Sequence, residues 1–244
     1  MAAVVGEWMP GGVVWVRNKL DARRLHECGY FGKGIASHFG VEAMESDPFD
    51  VLQLSAEEAL YLAAATASAR LTIVQTSSPG IDDIAFPIPP DAILSAERVY
   101  SLATQNDAAF SQRLSVYCYL RRRGWVVRSG LKYGVDFVVY PNSPAHEHAA
   151  FGVVIRDRKS DMGWRLIHTL TRLSTLVAKG LVLCSVRDEN KIVPSSSFKD
   201  SDERVVEPSA LNLAIHASVD EVHVRRWVPE KTRIESGEKL MNLE

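Results

Sequence analysis

The order of helix-like and strand-like segments over residues 108–228 restricts this part of the chain to a mixed helix-and-sheet fold. An amphipathic segment over 108–123 comes first and stops at Gly124, a residue type that commonly ends helices. Short apolar runs follow, and a second amphipathic segment divides them into two groups. The pattern predicts strands over 125–128, 133–140, 151–155, 181–186 and 221–228, with a helix over 161–179 between the third and fourth. We therefore expect a mixed β-sheet flanked by helices.

The first hundred residues predict a second unit. Residues 13–26 are typical of a short strand leading into a helix, and residues 71–74 predict another strand. Ser55 and Glu58 have the spacing of a capping box, which predicts a helix from residue 55 to 69. The predicted class is α/β, of the α+β type. Its predicted parts are an N-terminal mixed α/β domain (1–106), a C-terminal domain with a mixed sheet flanked by helices (107–230) and a charged tail (231–244).

Cysteine usage and hydropathy narrow the class of protein further. The 244 residues include three cysteines, far apart and without a C-x-x-C pair, which argues against a disulfide framework and against a cysteine-based zinc site. No apolar run approaches the roughly 18 residues of a membrane span. The N-terminus lacks a basic segment followed by an apolar one, so no signal peptide is predicted. These features favour an intracellular protein that does not enter a membrane.

The charges are unevenly distributed, although the whole chain carries only −2. Residues 1–100 carry a net charge of −6 and residues 101–244 a net charge of +4. Residues 113–132 contain six basic side chains and no acidic one. Such asymmetry is a sign of a polyanionic partner, whereas a charge run taken alone more often marks a solvated face.

A tyrosine at a strand end and two loop histidines are the first candidates for chemistry. Tyr140 ends a predicted strand, and His146 and His148 follow in the loop after it. A loop histidine titrates near neutral pH and can act as a general acid or base. The H-x-H pair is a weak metal signal because nothing nearby supplies a persuasive third ligand. Packed or solvated side chains are the ordinary alternative for all three residues.

Three basic residues share a spacing of seven on the second predicted helix. Arg165, Arg172 and Lys179 would line one helix face, which could bind phosphate or simply meet solvent. Trp227 lies near the end of the last predicted strand.

The arrangement of these residues resembles the catalytic domain of the tRNA-splicing endonuclease (tRNA-intron lyase) family. The resemblance begins with residues 124–141, whose sequence is GWVVRSGLKYGVDFVVYP. Tyr140 is followed eight residues later by His148, and Arg172 precedes Lys179 by seven, as in that family. In the N-terminal part, the segments CGYFGKG (28–34) and LSAEEA (54–59) resemble the eukaryotic subunit that cuts the 5′ splice site.

The resemblance implies a metal-independent transesterification that needs no cofactor. It implies that Tyr140 is the general base, His148 the general acid and Lys179 the cation that stabilises the developing charge. An unperturbed phenol titrates near 10, so Tyr140 needs a neighbouring cation, for which Lys179 is the candidate. The reversed assignment, with histidine as base, stays open. The resemblance also implies that Arg172 and Trp227 hold an extruded base between a cation and an aromatic plane.

The resemblance further implies the partners and the location. The substrate would be intron-containing pre-tRNA, and the N-terminal domain would serve assembly. The protein partners would be a structural partner subunit, a second catalytic subunit that cuts the 3′ site and a small structural subunit, in the nucleus. Two alternatives stay open: a non-catalytic structural subunit of the same complex, and a metal-dependent nuclease using Asp136, Glu147 and Lys132.

Overall fold

Two mixed β-sheets form the framework of the protein in a computed structural model, which describes residues 4–35, 51–65, 71–75, 88–158, 162–187 and 209–225. One sheet is built from the N-terminal part of the chain and the other from the C-terminal part. Helices pack against both sheets, so the α+β class predicted from the sequence is confirmed. In the described residues, no helix is both long enough and apolar enough to span a membrane.

In the described residues, the N-terminal unit consists of a six-stranded sheet and three α-helices. Its strand order is β3-β4-β2-β1-β5-β6, in which β1 and β5 run parallel. The elements are β1 (Val4–Met9), β2 (Val13–Val16), α1 (Lys19–Gly29), β3 (Lys33–Gly34), β4 (Leu52–Ser55), α2 (Ala56–Leu60), β5 (Leu71–Val74), β6 (Ile93–Leu94) and α3 (Ala96–Asn106). The predicted strand leading into a helix is confirmed as β2 and α1. Helix α3 was not predicted from the sequence.

The capping box predicted at Ser55 is present. The Ser55 hydroxyl accepts from the Glu58 N–H (3.3 Å), and the Glu58 carboxylate accepts from the Ser55 N–H (3.0 Å). A π-helical turn, Tyr61–Ala65, continues α2, and the remainder of the predicted helix, 66–69, lies outside the described residues. Glu58 is buried and also accepts from the Gly32 N–H (3.0 Å). Burial raises the pKa of Glu58 and outweighs the two N–H groups that favour its carboxylate.

The C-terminal unit is a five-stranded sheet in the order β11-β10-β9-β8-β7. The predicted strands and the helix that separates the third from the fourth are confirmed, with one parallel pair, β9 and β10, whereas the helix Ala210–Ile215 was not predicted. The elements are α4 (Phe110–Arg122), β7 (Val126–Ser129), β8 (Phe137–Tyr140), β9 (Phe151–Ile155), α5 (Trp164–Leu176), β10 (Gly180–Val186), α6 (Ala210–Ile215) and β11 (Val219–Val224).

Two predicted strands have different limits in the structure. The strand predicted from residue 133 starts only at Phe137, because Leu131–Tyr133 form a 3₁₀ turn that Gly134 closes with a φ of 69°. The last strand starts two residues early, at Val219, and ends at Val224. The rest of its predicted range from residue 226 lies outside the described residues.

The end of α5 corrects the predicted stripe of three basic residues. The helix stops at Leu176, and Ala178 takes the left-handed conformation with a φ of 52°. The Ala178 N–H donates to the Thr175 carbonyl (3.2 Å) and the Lys179 N–H to the Ser174 carbonyl (2.8 Å), which is the Schellman pattern. Lys179 therefore lies beyond the helix and not on its face, while Arg165 and Arg172 remain exposed on the helix.

Helix α4 packs between the two units and joins their cores. The Tyr117 ring contacts Tyr61 of the N-terminal unit and Phe137 of the C-terminal sheet, both at 5.8 Å between ring centroids. Arg113 pairs with Glu57 (2.9 Å) across the same boundary. One continuous cluster of buried apolar side chains consequently includes residues from both sheets. A smaller cluster, Leu170, Leu181 and Leu183, lies beneath α5 on the opposite face of the C-terminal sheet.

Candidate functional site

The register of the C-terminal sheet brings three chain segments to one edge. Val139 of β8 pairs with Phe151 of β9, and Phe151 pairs with Gly180 of β10. The Ala150 N–H donates to the Val139 carbonyl and the Gly180 N–H to the Ala150 carbonyl, both at 2.9 Å. Adjacent strands lie about 4.8 Å apart, so the backbones of the first and third are about 10 Å apart. The residues that adjoin this row are Tyr140, the loop containing His148, and Lys179.

Tyr140 borders the larger cavity, a cleft of about 750 Å³ between the two units. Its lining includes Lys33 and Gln53 from the N-terminal unit and Arg128, Lys132, Tyr133 and Tyr140 from the C-terminal unit. Burial raises the pKa of Tyr140, the nearby Tyr133 phenol raises it further, and Arg128 opposes both. The expectation that Lys179 would lower this pKa is wrong: the cation that acts on Tyr140 is Arg128, and burial prevails over it.

Lys179 borders a different, smaller cavity of about 190 Å³ beneath the end of α5. Thr171, Thr175 and Arg225 are among its other lining residues. The Lys179 ammonium lies 5.0 Å from the centroid of the Tyr133 ring and 3.5 Å from the Val177 carbonyl oxygen. Tyr133 also borders the larger cleft, so it lies between the cavity of Lys179 and the cavity of Tyr140.

His148 lies in the exposed loop that joins β8 to β9. Its side chain is exposed, as is that of His146 in the same loop. The loop begins with a turn in which the His146 and Glu147 N–H groups both donate to the Ser143 carbonyl, at 3.2 and 3.0 Å. The buried Ala149 follows His148 and secures the loop at the start of β9. His148 lines neither cavity, so a substrate would reach it from solvent.

The structure describes one of the two residues expected to hold an extruded RNA base. Arg172 is exposed on α5, and the structure thus leaves its guanidinium accessible. Trp227 lies outside the described residues, as does the Arg226 that precedes it.

The basic run over 113–132 does not form an open basic face. Four of its arginines bind groups within the protein: Arg121 donates to Gly29 (2.8 Å), Arg123 to Glu221 (2.7 Å), Arg128 to the Gly32 carbonyl, and Arg113 to Glu57 (2.9 Å). Arg121 is also buried, with its guanidinium 4.1 Å from the centroid of the Phe31 ring. Arg113, Arg121 and Arg128 stabilise contacts between the two units, and Arg123 stabilises a contact within the C-terminal unit. The charge pattern alone did not reveal these contacts.

The residues of the alternative metal site have separate roles in the structure. The Asp136 carboxylate accepts from the Ile155 N–H (2.7 Å), and the Glu147 carboxylate accepts from the Asn142 amide (2.9 Å). Lys132 is exposed at the cleft. No group of three His, Cys, Asp or Glu side chains suited to a metal ion occurs within the part of the chain that the structure describes.

Sequence reasoning missed Tyr133, Arg128 and Lys33 as neighbours of the candidate site. Tyr133 belongs to the motif that carries the family resemblance, but the sequence predicted it at the start of a strand, and it lies in a turn that contacts Lys179. Arg128 appeared only as one member of a basic run, and Lys33 only as part of a glycine-rich segment. All three come together through the packing of the two units.

Comparison with known proteins gives consistent matches along most of the chain. The family described as "tRNA intron endonuclease, N-terminal domain" matches residues 9–76, and "tRNA intron endonuclease, catalytic C-terminal domain" matches residues 110–194. The tRNA-splicing endonuclease of Sulfurisphaera tokodaii is 32% identical over 198 residues, which cover 80% of this chain and 98% of that protein.

Two other relatives are considerably longer than the matched region. The probable tRNA-splicing endonuclease subunit sen2 of Schizosaccharomyces pombe is 34% identical over 140 residues, covering 52% of this chain and 35% of that protein. The tRNA-splicing endonuclease subunit Sen2 of Rattus norvegicus is 29% identical over 198 residues, covering 78% of this chain and 37% of that protein. The chain thus spans little more than a third of these two relatives and nearly all of the Sulfurisphaera protein.

Proposed function

Because the chain belongs to the tRNA-splicing endonuclease family, we propose that it is a catalytic subunit that cleaves intron-containing pre-tRNA at the 5′ splice site. Membership in the family supports endonuclease activity. The observation that favours a catalytic role is the register Val139–Phe151–Gly180. It puts the strand end at Tyr140, the loop of His148 and the residue Lys179 at one edge of the sheet.

The proposed reaction is an internal transesterification that these three side chains could carry without a metal. The ribose 2′-oxygen bonds to phosphorus as Tyr140 takes its proton. The bond from phosphorus to the 5′-oxygen breaks as His148 protonates that oxygen. The products are a 2′,3′-cyclic phosphate and a 5′-OH. The Lys179 ammonium would stabilise the extra negative charge on the phosphoryl oxygens in the transition state.

The environment of Tyr140 bears on which residue is the base. Burial and the Tyr133 phenol keep the pKa of Tyr140 above its ordinary value, so the neutral phenol predominates at pH 7. As a base, Tyr140 would act through a small phenolate fraction that grows with pH. As an acid it would be fully protonated at neutral pH, with His148 as the base. We favour Tyr140 as base and take cleavage of a pre-tRNA with sulfur in place of the leaving 5′-oxygen as the test, because a thiolate leaves without an acid.

The cleft beside Tyr140 suits the RNA chain near the cleaved bond. The acidic side chains at this cleft are engaged: Glu57 pairs with Arg113, and Glu58 and Asp136 accept from backbone N–H groups. Lys33 and Lys132 are exposed there and could meet phosphates. Arg172, exposed on α5, would hold an extruded base together with Trp227.

Assembly with other subunits is part of the same proposal. The Schizosaccharomyces and Rattus relatives are named as subunits, which supports a multi-subunit enzyme. We propose a structural partner subunit, a second catalytic subunit for the 3′ site and a small structural subunit, in the nucleus. The proposed division of the chain is 1–106 for assembly, 107–230 for catalysis and 231–244 as a tail.

The test uses the chain assembled with its partner subunits and a pre-tRNA labelled on both sides of the intron. Cleavage at the 5′ site should continue in EDTA and leave a 2′,3′-cyclic phosphate and a 5′-OH. Loss of cleavage in EDTA would instead favour the metal-dependent nuclease.

A variant of the chain separates the catalytic role from the structural alternative. The triple variant Tyr140→Phe, His148→Ala, Lys179→Ala should lose cleavage at the 5′ site while cleavage at the 3′ site continues in the same assembly. Normal cleavage at both sites by this variant would mean that the chain is a non-catalytic subunit.

A further inference from the structure

We propose that Tyr133 is a positioning residue that holds the Lys179 ammonium at the edge of the sheet through a cation–π contact. This inference rests on the proposed function, because it assumes that Lys179 stabilises charge during cleavage. It adds a role for a residue in the turn between β7 and β8, far from Lys179 in the sequence. Lys179 is in contact with the scissile phosphate in this proposal, whereas the ring of Tyr133 acts through Lys179.

The contact between the two side chains has the geometry of a cation–π interaction. The Lys179 nitrogen lies over the ring of Tyr133 at 5.0 Å from its centroid, within the roughly 6 Å at which such contacts are effective. The other contact described for this ammonium is the Val177 carbonyl oxygen at 3.5 Å, a long distance for a hydrogen bond. A lysine side chain has four rotatable bonds, so the aromatic ring restricts where its charge can lie.

The backbone on the lysine side of the contact is constrained. The Schellman pattern at the end of α5 fixes the Lys179 N–H on the Ser174 carbonyl (2.8 Å). Gly180 then enters β10 in register with Phe151. Only the side chain of Lys179 remains adjustable, and Tyr133 is the aromatic residue that meets it.

The backbone on the tyrosine side is constrained as well. The Tyr133 N–H donates to the Gly130 carbonyl (2.8 Å), and the Gly130 N–H donates to the Asp136 carbonyl (3.0 Å). A Cβ atom at Gly130 would lie 2.6 Å from the Val135 carbonyl oxygen, so the chain is closely packed at this point. A ring on such a compact turn can serve as a fixed surface for a flexible cation.

Tyr133 also connects the cation to the candidate base. It borders the cleft with Tyr140, and its phenol adds to the effect of burial in raising the pKa of Tyr140. The ring and the hydroxyl therefore have separable roles, one toward Lys179 and the other toward Tyr140.

Two substitutions separate these roles in single-turnover cleavage of pre-tRNA by saturating concentrations of the assembled enzyme. Tyr133→Leu removes the ring and should lower the rate about 10- to 100-fold with little change in the enzyme concentration that gives half the maximal rate, since a misplaced catalytic group can cost about 10²-fold. Tyr133→Phe keeps the ring and should stay within about threefold of the wild-type rate. It should also lower the pKa of Tyr140 in the pH–rate profile. Equal losses in Tyr133→Leu and Tyr133→Phe would overturn the inference.

A matched control tests whether any cation–π contact has the same effect. Tyr119 on α4 stacks with Arg123 (5.6 Å to the ring centroid) away from both cavities. Tyr119→Leu should cleave at the wild-type rate. A loss as large as that of Tyr133→Leu would point to a general effect on stability and would overturn the positioning role.

The combination with Lys179→Ala distinguishes failure of this inference from failure of the proposed function. If Lys179→Ala cleaves normally, the proposed role of Lys179 fails. If Lys179→Ala is impaired but Tyr133→Leu is normal, only the positioning role fails. The expected result is that adding Tyr133→Leu to Lys179→Ala causes no further loss, because both changes remove one function.

A spectroscopic measurement keeps the inference testable if Tyr133→Leu assembles poorly. In the full chain with isotope-labelled lysine, the ε-methylene signal of Lys179, assigned with Lys179→Arg, should be shifted by the ring current of Tyr133. The shift should persist in Tyr133→Phe and disappear in Tyr133→Leu. An unshifted signal in the wild-type chain would contradict the contact.

Discussion

The two exposed histidines of the loop between β8 and β9 provide a matched pair for testing catalysis. His148→Ala should lower cleavage at the 5′ site about 10²- to 10⁴-fold, the usual contribution of a general acid or base. His146→Ala should be close to wild type, although it removes the same side chain from the same exposed loop. Single-turnover cleavage and a binding assay with the assembled variants would check this. Equal effects of the two substitutions would contradict a specific role for His148.

The identity of the group that protonates the leaving oxygen tests the role of Tyr140. A pH–rate profile does not separate the two assignments, because a phenolate base with a histidine acid and a phenol acid with a histidine base both give a plateau between the two pKa values. A pre-tRNA with sulfur in place of the 5′-oxygen at the cleaved bond separates them, since a thiolate leaves without being protonated. If Tyr140 is the base, His148→Ala should cleave this substrate close to the wild-type rate and Tyr140→Phe should stay impaired. Rescue of Tyr140→Phe instead would show that Tyr140 is the acid and His148 the base.

The C-terminal end of helix α5 stores strain immediately before Lys179. Ala178 adopts a φ of 52°, which costs a residue with a side chain about 1–2 kcal/mol, whereas glycine tolerates it. Ala178→Gly should raise the free energy of unfolding by about 0.5–1 kcal/mol after the entropy that glycine adds to the unfolded chain is subtracted. Urea denaturation would measure this change in the free energy of unfolding. Ala103→Gly, inside α3, is the control and should destabilise by about 1 kcal/mol or more. A loss of stability in both variants would contradict the left-handed end of α5.

The start of strand β10 depends on the absence of a side chain at residue 180. A Cβ atom there would lie 2.4 Å from a ring carbon of Phe151, which packs between Trp125 and His223. Gly180→Ala should destabilise the protein by about 1–3 kcal/mol and slow cleavage, because Lys179 is the adjacent residue. Gly163→Ala is the control, since a Cβ there meets nothing within 4 Å. Thermal denaturation and cleavage should separate the two variants, and similar behaviour would contradict the close packing at Phe151.

Arg121 links the two units. Its replacement tests whether the two units unfold together. It donates to the Tyr117 hydroxyl (2.9 Å) and to the Gly29 carbonyl (2.8 Å) at the end of α1, and it is buried. Arg121→Met keeps the apolar stem but leaves both acceptors without this donor, which should cost about 1–3 kcal/mol. The shared core predicts a single unfolding transition that moves to lower temperature in calorimetry. Arg98→Met, on an exposed surface, should change little, and two separate transitions would contradict the shared core.

Local signals made much of the C-terminal unit predictable. Gly124 ends α4 and a short apolar run forms β8, because each of these features depends on residues close together in the chain. In the N-terminal unit, the capping box starts α2 for the same reason. Tyr140 was predicted at a strand end for the same reason. Helix α3 was missed because it closely follows residues 76–91, whose four prolines are typical of a loop and hide the start of a helix.

The position of Lys179 and the environment of Tyr140 depend on packing between distant residues. Nothing in the local sequence ends α5 at Leu176, since alanine normally favours a helix; the chain turns at Ala178 and enters β10, where Gly180 pairs with Phe151. The pKa of Tyr140 depends first on burial, which a sequence does not specify. The residue types of this chain and their spacings were sufficient to suggest a tRNA-splicing endonuclease. The cation–π contact, the cleft and the raised pKa arise only when the turn after β7, the end of α5 and the N-terminal unit pack against one sheet, because each requires atoms from segments far apart in the chain.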